Sequence, residues 1–234
     1  MSAPTSRQLI DDFRREVDDP LIPGTGSDDD ADSLWKTREL LGYLDEAQQE
    51  LARRTLKLTK STEIDFVGEE PLLEYPEDLI QPRRASLENA RTSVVFRNLN
   101  EIEEQVAEDY GIRSMVAWRD NVGRPQILIT DYEDGFWRWV PIPAEADTLI
   151  LNYYRTAETV KSGAIKLELG ADAREKRAIL HWMKKLAYEK QDADAMDLQR
   201  AAGFERQFEV AVRTLIGETM RRTRRPGTTG YGGY

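Results

Sequence analysis

The hydrophobic period of this chain changes twice along its length, and that change limits what it can fold into. Between Thr37 and Leu58, apolar or small residues recur at three- and four-residue steps: Leu40, Leu44, Ala47, Leu51, Thr55 and Leu58, flanked by Leu41 and Tyr43. That spacing lines one side of an α-helix. From Thr62 to Thr156 the texture is that of strands, with alternation, β-branched residues and turn formers. After Gly170 the helical period returns. It covers about Asp172–Lys190 (Ile179, Trp182, Met183, Leu186, Ala187), then about Asp194–Arg222 (Phe204, Phe208, Val212, Leu215). The expected fold is α+β: an antiparallel α-helical bundle, residues 1–60 and 171–222, with a long inserted antiparallel β domain, residues 61–170. An extended C-terminal arm, residues 223–234, completes it.

Local signals refine this order. Gln8 to Val17 reads as a short amphipathic helix, with Leu9, Ile10, Phe13 and Val17 on one stripe; Asp19-Pro20 and Pro23-Gly24-Thr25-Gly26 break it. In the β part, Glu63–Val67 alternates, and about Ile80–Leu87 is a strand that Pro82 confines to an edge or a start. Asn98 or Asn100 caps a helix running to about Tyr110, which Gly111 stops. Gln126–Thr130 and Phe136–Val140 flank Asp134-Gly135, a hairpin-turn signal. Thr148–Arg155 adds a strand in which Leu149, Leu151 and Tyr153 alternate.

Charge and composition exclude several function classes. The net charge is −10 and the chain holds no cysteine, so disulfides are absent and zinc or iron–sulfur sites are not expected. The acidic balance argues against broad binding to nucleic acid or anionic lipid. No apolar run is long enough for a membrane span, and the first residues lack a signal-peptide core. Asp28, Asp30, Asp32 and Glu39 fall at calcium-loop spacing, but Ser33 stands at the turn glycine and no helix precedes, so a solvated acidic loop is the better reading. His181 is the sole histidine and reads as packing or surface. The carboxylate pairs Glu69/Glu70, Glu103/Glu104 and Asp131/Asp134 have no nucleophile or oxyanion motif beside them. No enzyme, cofactor or metal is expected.

Two features point to docking instead. The last helix runs into Arg221, Arg222, Arg224 and Arg225, and the chain then ends in Pro226-Gly227-Thr228-Thr229-Gly230-Tyr231-Gly232-Gly233-Tyr234. So glycine-rich a segment has no apolar face of its own, and it reads either as a solvated terminus or as an arm with Tyr231 and Tyr234 as anchors. Trp137 and Trp139 share one face of their strand. They either cap the β core or form an aromatic face for a subunit or tail interface.

The motifs, in order, resemble phage head-to-tail adaptor (connector) proteins of short-tailed phages, of the tail tubular protein A kind. The run Leu34-Trp35-Lys36-Thr37-Arg38-Glu39-Leu40-Leu41-Gly42-Tyr43-Leu44-Asp45-Glu46-Ala47-Gln48-Gln49-Glu50 resembles the family's opening helix, with Asp45 where Asn is usual. Tyr75-Pro76 followed by Arg83 and Arg84, Trp118 with Pro125, Val140-Pro141-Ile142-Pro143, Tyr153-Tyr154-Arg155, and Ala187-Tyr188 with Asp192 resemble later landmarks. The resemblance covers about residues 34–222; the acidic N-terminal loop and Asn89–Tyr110 depart from it. It implies a ring, a dodecamer, joined to the portal protein by its helical part and to a tail tube or nozzle protein by its β part. Arg221, Arg222, Arg224, Arg225, Tyr231 and Tyr234 would be the portal-docking arm, and genomic DNA would pass an acidic channel without specific binding. The protein would then sit in the virion at the head–tail interface, assembled in the host cytoplasm, with no membrane partner. Another tail completion or tail-hub protein, or an unrelated acidic interaction module, is the alternative.

Overall fold

The computed structural model describes residues 3–19, 33–110, 117–161, 165–190 and 196–223. The helices are α1 (Ser6–Val17), α2 (Thr37–Thr55), α3 (Leu99–Tyr110), α4 (Ala173–Glu189) and α5 (Leu198–Thr223). The strands are β1 (Thr59–Phe66), β2 (Leu72–Glu74), β3 (Leu79–Leu87), β4 (Ser93–Arg97), β5 (Val122–Gly123), β6 (Ile127–Glu133), β7 (Phe136–Val140), β8 (Ile142–Pro143) and β9 (Asp147–Arg155). The chain divides into two units, Met1–Thr55 with Ala157–Tyr234, and Leu56–Thr156.

In the first unit, α1 begins with a reciprocal cap. Thr5 Oγ1 accepts the Gln8 amide at 3.3 Å, and Gln8 Oε1 accepts the Thr5 amide at 2.9 Å. Helix α2 buries Leu40, Leu44, Ala47 and Leu51, the stripe its spacing predicted. It stops at Thr55, short of Leu58, because Leu56 turns to a left-handed φ of 48°. Helices α4 and α5 run antiparallel: Arg174 near the start of α4 pairs with Glu218 near the end of α5, while Tyr188 near the end of α4 stacks on Phe204, 5.7 Å between rings. Between them Trp182 packs on Phe208 at 4.7 Å.

The second unit is built on a seven-stranded sheet in the order β1-β9-β3-β4-β6-β7-β2, with β5 and β8 pairing apart from it. The sheet is mostly antiparallel, but β4 and β6 pair in parallel, Val95 opposite Ile127 and Phe96 opposite Leu128. This corrects the expectation of a purely antiparallel domain. Its cause is α3, which carries the chain across between those strands and returns it in the same direction. Pro82 sits in an interior strand and not at a sheet edge. It is tolerated because β4 pairs only with Ala85 and Ser86, and the β9 register slips on both sides of Gln81–Pro82.

Alternation then sorts the side chains. Leu128, Trp137, Trp139, Leu149, Leu151 and Tyr153 enter one core with Phe66, Leu73, Ala85, Leu87 and Val94. The Phe66 ring of β1 lies 4.9 Å from that of Trp139 in β7, so strands far apart in the order meet as the sheet curls around this core. On the opposite face Ile129 packs with Ile102 of α3 and with Trp118. The β6–β7 hairpin turns at Asp134-Gly135, and Gly135 takes φ 84°, as that turn requires.

Candidate docking surfaces

The family-like motif around Trp35 works as a clamp within the helical unit. Trp35 is buried, its Nε1 donates to the Ala187 carbonyl at 3.1 Å, and its ring meets Phe13 and Tyr188 edge-on, 5.7 Å from each. Arg14, buried on α1, donates to Asp19 Oδ2 at 3.3 Å, to the Trp35 carbonyl at 2.9 Å and to Thr37 Oγ1 at 3.2 Å. Asp19 Oδ1 in turn accepts the Leu34 amide at 3.2 Å. The two ends of the segment between Asp19 and Ser33 are thereby held together. The aspartates of that segment, Asp28, Asp29, Asp30 and Asp32, and so the calcium-loop reading, lie outside the described residues.

The polar residues of the same motif hold a returning strap. Asp45 Oδ1 accepts the Val160 amide at 2.8 Å, Gln49 Nε2 donates to the Ala157 carbonyl at 2.8 Å, and Gln48 both donates to and accepts from the Leu169 backbone at 3.3 Å. Residues 157–161 and 165–170 thus lie with the helices, although the sequence placed them with the β part. An acceptor is all that position 45 needs, which Asp and Asn both supply. Sequence reading used these residues as landmarks and missed their role. The signal was there: polar Gln48 falls beside Leu44 and Leu51 on the buried stripe, and a buried amide needs partners.

A groove of about 490 Å³ runs between α4 and α5, lined by Arg174, Arg177, His181, Arg206, Val210 and Thr214 among others. Arg177 and Arg206 make no carboxylate pair among the described residues. Val210 is 63% exposed. Burial holds the His181 imidazole below its usual pKa, with Lys184 and Arg177 adding to the effect against Glu16, and its Nδ1 is buried without a hydrogen-bond partner among the described residues. The groove's positive charge therefore comes from guanidinium groups, which pair well with carboxylates.

Of the expected arm, Arg221 is exposed on the last turn of α5 and Arg222 follows it in the same helix. Arg224, Arg225, Tyr231 and Tyr234 lie outside the described residues. Trp137 and Trp139 require a correction: each is only 1% exposed, so neither offers a face to a subunit or tail partner in this fold. Their side of β7 is the core side, and Phe136 and Arg138 take the other. Arg138 lies over the Tyr132 ring at 4.9 Å and donates to the Arg119 carbonyl at 2.7 Å.

The remaining motif residues are fasteners within the β unit. Asp78 accepts Tyr153 Oη at 2.6 Å and Lys60 Nζ at 2.9 Å. Burial opposes its ionisation, but these two donors outweigh it and hold its pKa below the usual carboxylate value. Tyr75 Oη accepts the Gly135 amide at 3.0 Å, bracing the hairpin turn. The carboxylate pairs are used singly: Asp131 caps the Leu99 amide at 2.7 Å and Glu103 pairs with Arg119 at 3.2 Å. Among the described residues, no group of three or more His, Asp or Glu is placed to hold a metal ion, and no helix is long and apolar enough to cross a membrane.

No curated protein matches this sequence. The family model described as SU10 adaptor protein matches residues 4–230, through both units and through the two stretches that depart from the resemblance. The motif residues that suggested phage adaptors are thus the ones that lock α2 to its strap, close the Trp35 clamp and fasten the sheet, and the chain belongs to the SU10 adaptor proteins, a phage head-to-tail adaptor family.

Proposed function

We propose that this protein is a structural virion component that joins capsid to tail as a ring beneath the portal protein. The observation that carries this reading is the adaptor-family match over residues 4–230, which takes in both units and not one shared module. In this reading the helical unit docks the portal and the β unit, inserted between α2 and the strap, meets a tail tube or nozzle protein. Copies close into a dodecamer, assembled in the host cytoplasm. The exposed Arg221 and the basic, tyrosine-tipped residues after it form the arm that engages acidic groups of the portal. A net charge of −10 suits a ring that DNA traverses, because phosphates gain nothing by stopping at an acidic wall. Many modest contacts repeated around a closed ring add to a durable joint.

The test is direct. Mass photometry of the purified chain with the portal protein from the same genome should show adaptor copies added to the portal ring, and electron microscopy should show them on one face. A portal that stays unloaded across micromolar adaptor concentrations would refute the proposal.

A further inference from the structure

A sheet that curls without closing leaves two strand edges beside a gap. In the β unit the strand order ends in β1 on one side and β2 on the other. The curl that sets Phe66 against Trp139 makes them flank one groove of about 510 Å³. Its walls include Thr62, Ile64 and Asp65 of β1 and Leu72, Leu73 and Glu74 of β2. Parity along each strand tells which backbone groups face it. The Arg155 amide donates to the Leu58 carbonyl, so Lys60, Thr62 and Ile64 carry the ladder to β9. The N–H and C=O groups of Ser61, Glu63 and Asp65 therefore point away from β9, to the free edge. On β2 the Trp139 amide donates to the Pro71 carbonyl, which leaves Leu72 and Glu74 pointing away from β7. Among the described residues no strand pairs with either free edge.

We propose that this groove takes an extended, basic strand of the tail protein, which adds to the free edge of β1 and fills the gap. Free donors and acceptors at every second residue suit an extended chain, which presents its own at that spacing. The side chains alternate as well. Ile64 and Leu73 turn to the core, while Glu63, Asp65 and Glu74 turn to the other face and are exposed. Glu70 and Glu77 bring two more exposed carboxylates to the groove. Glu63, Glu70, Glu74 and Glu77 make no ion pair among the described residues. A guest strand with Lys or Arg at alternate positions and apolar residues between them satisfies both faces. A second copy offering its own β1 or β2 edge would set carboxylates against carboxylates, which destabilises strand pairing. Among the described residues no Lys or Arg lines the groove, so a phosphate backbone gains nothing there. The tail protein as source rests on the adaptor reading; the groove's chemistry does not.

The probe is a capped heptapeptide alternating lysine with valine, added to the isotope-labelled full chain while NMR follows deuterium exchange of single amides. Without peptide, Thr62 and Ile64 should exchange slowly, and Ser61, Glu63 and Asp65 fast. Peptide at up to about 1 mM should slow those three about tenfold. The same peptide N-methylated at alternate residues keeps its charge and should not protect them. Glu70→Lys/Glu74→Lys should weaken binding about tenfold, with an unchanged melting temperature. Binding that leaves the three amides fast would overturn the proposal in favour of a charge contact alone, and absence of binding would overturn it outright. Protection without peptide that rises with chain concentration would give the groove to a second copy and equally overturn it. The source is tested on the portal protein of the same genome. There the Glu70→Lys/Glu74→Lys chain should load like the native one, yet fail to recruit the tail protein, as scored by electron microscopy. Unchanged recruitment would overturn the tail assignment and leave the adaptor reading intact. Where no chain loads onto the portal, the adaptor reading falls, and amide protection by the peptide still decides the groove.

Discussion

Replacing Arg14 by Met removes the cation that joins α1 to the start of α2, and the structure fixes what is lost. Arg14 is 2% exposed and donates three hydrogen bonds, to Asp19, the Trp35 carbonyl and Thr37. Breaking one side of a buried pair typically costs about 3–5 kcal/mol, because the other charge stays buried without its partner. Two details move the figure to the lower end. Among the described residues Arg14 Nε has no hydrogen-bond partner, so the native site already carries one unmet donor there, and Asp19 keeps the Leu34 amide after the substitution. About 3 kcal/mol is expected for Arg14→Met. Asp19→Asn should cost only about 1–2 kcal/mol, since Arg14 retains its two other acceptors. The double variant should cost little more than Arg14→Met alone, a coupling of about 1–2 kcal/mol. Urea unfolding of the full chain, followed by helical circular dichroism and by tryptophan fluorescence, measures all three; separate transitions for the two units would be fitted separately. Trp35 lies within this clamp and reports on it. A cost below about 1 kcal/mol for Arg14→Met, or strict additivity with Asp19→Asn, would refute the reasoning.

Other expectations follow from single contacts. Trp139→Ala empties a site between Phe66 and Leu128 in the curled sheet and should destabilise the β unit by about 3–5 kcal/mol, read as a separate loss in the unfolding curve. Asp78 has a folded pKa below its unfolded one, so the stability it adds is present above about pH 4 and is lost as pH falls through the folded value. In Asp78→Asn the fall of the urea midpoint with acid should be shallower than in the native chain; parallel profiles would show that the Tyr153–Asp78–Lys60 cluster is not linked to folding. Truncation after Arg222 should leave the melting temperature unchanged and weaken portal attachment sharply, with Tyr231→Ala/Tyr234→Ala a finer version. Unchanged attachment would make the arm passive.

Where one periodicity decides an element, the sequence was enough. The α2 stripe, the Leu149–Leu151–Tyr153 alternation and the Asp134-Gly135 turn all appear where local spacing puts them, because each is set by residues within a few positions. What depends on distant partners was less legible. The parallel β4–β6 pair follows from α3 crossing between strands, and a capped helix flanked by strand runs was its only sequence sign. Pro82 misled because its tolerance depends on how far β4 extends along β3. Trp137 and Trp139 could face either way on a lone strand; the curl that brings Phe66 to Trp139 decides, and no local signal encodes it. The α4–α5 groove escaped notice because its arginines are far apart in sequence. Arg177 and Arg206 share a surface only once the two helices pack antiparallel.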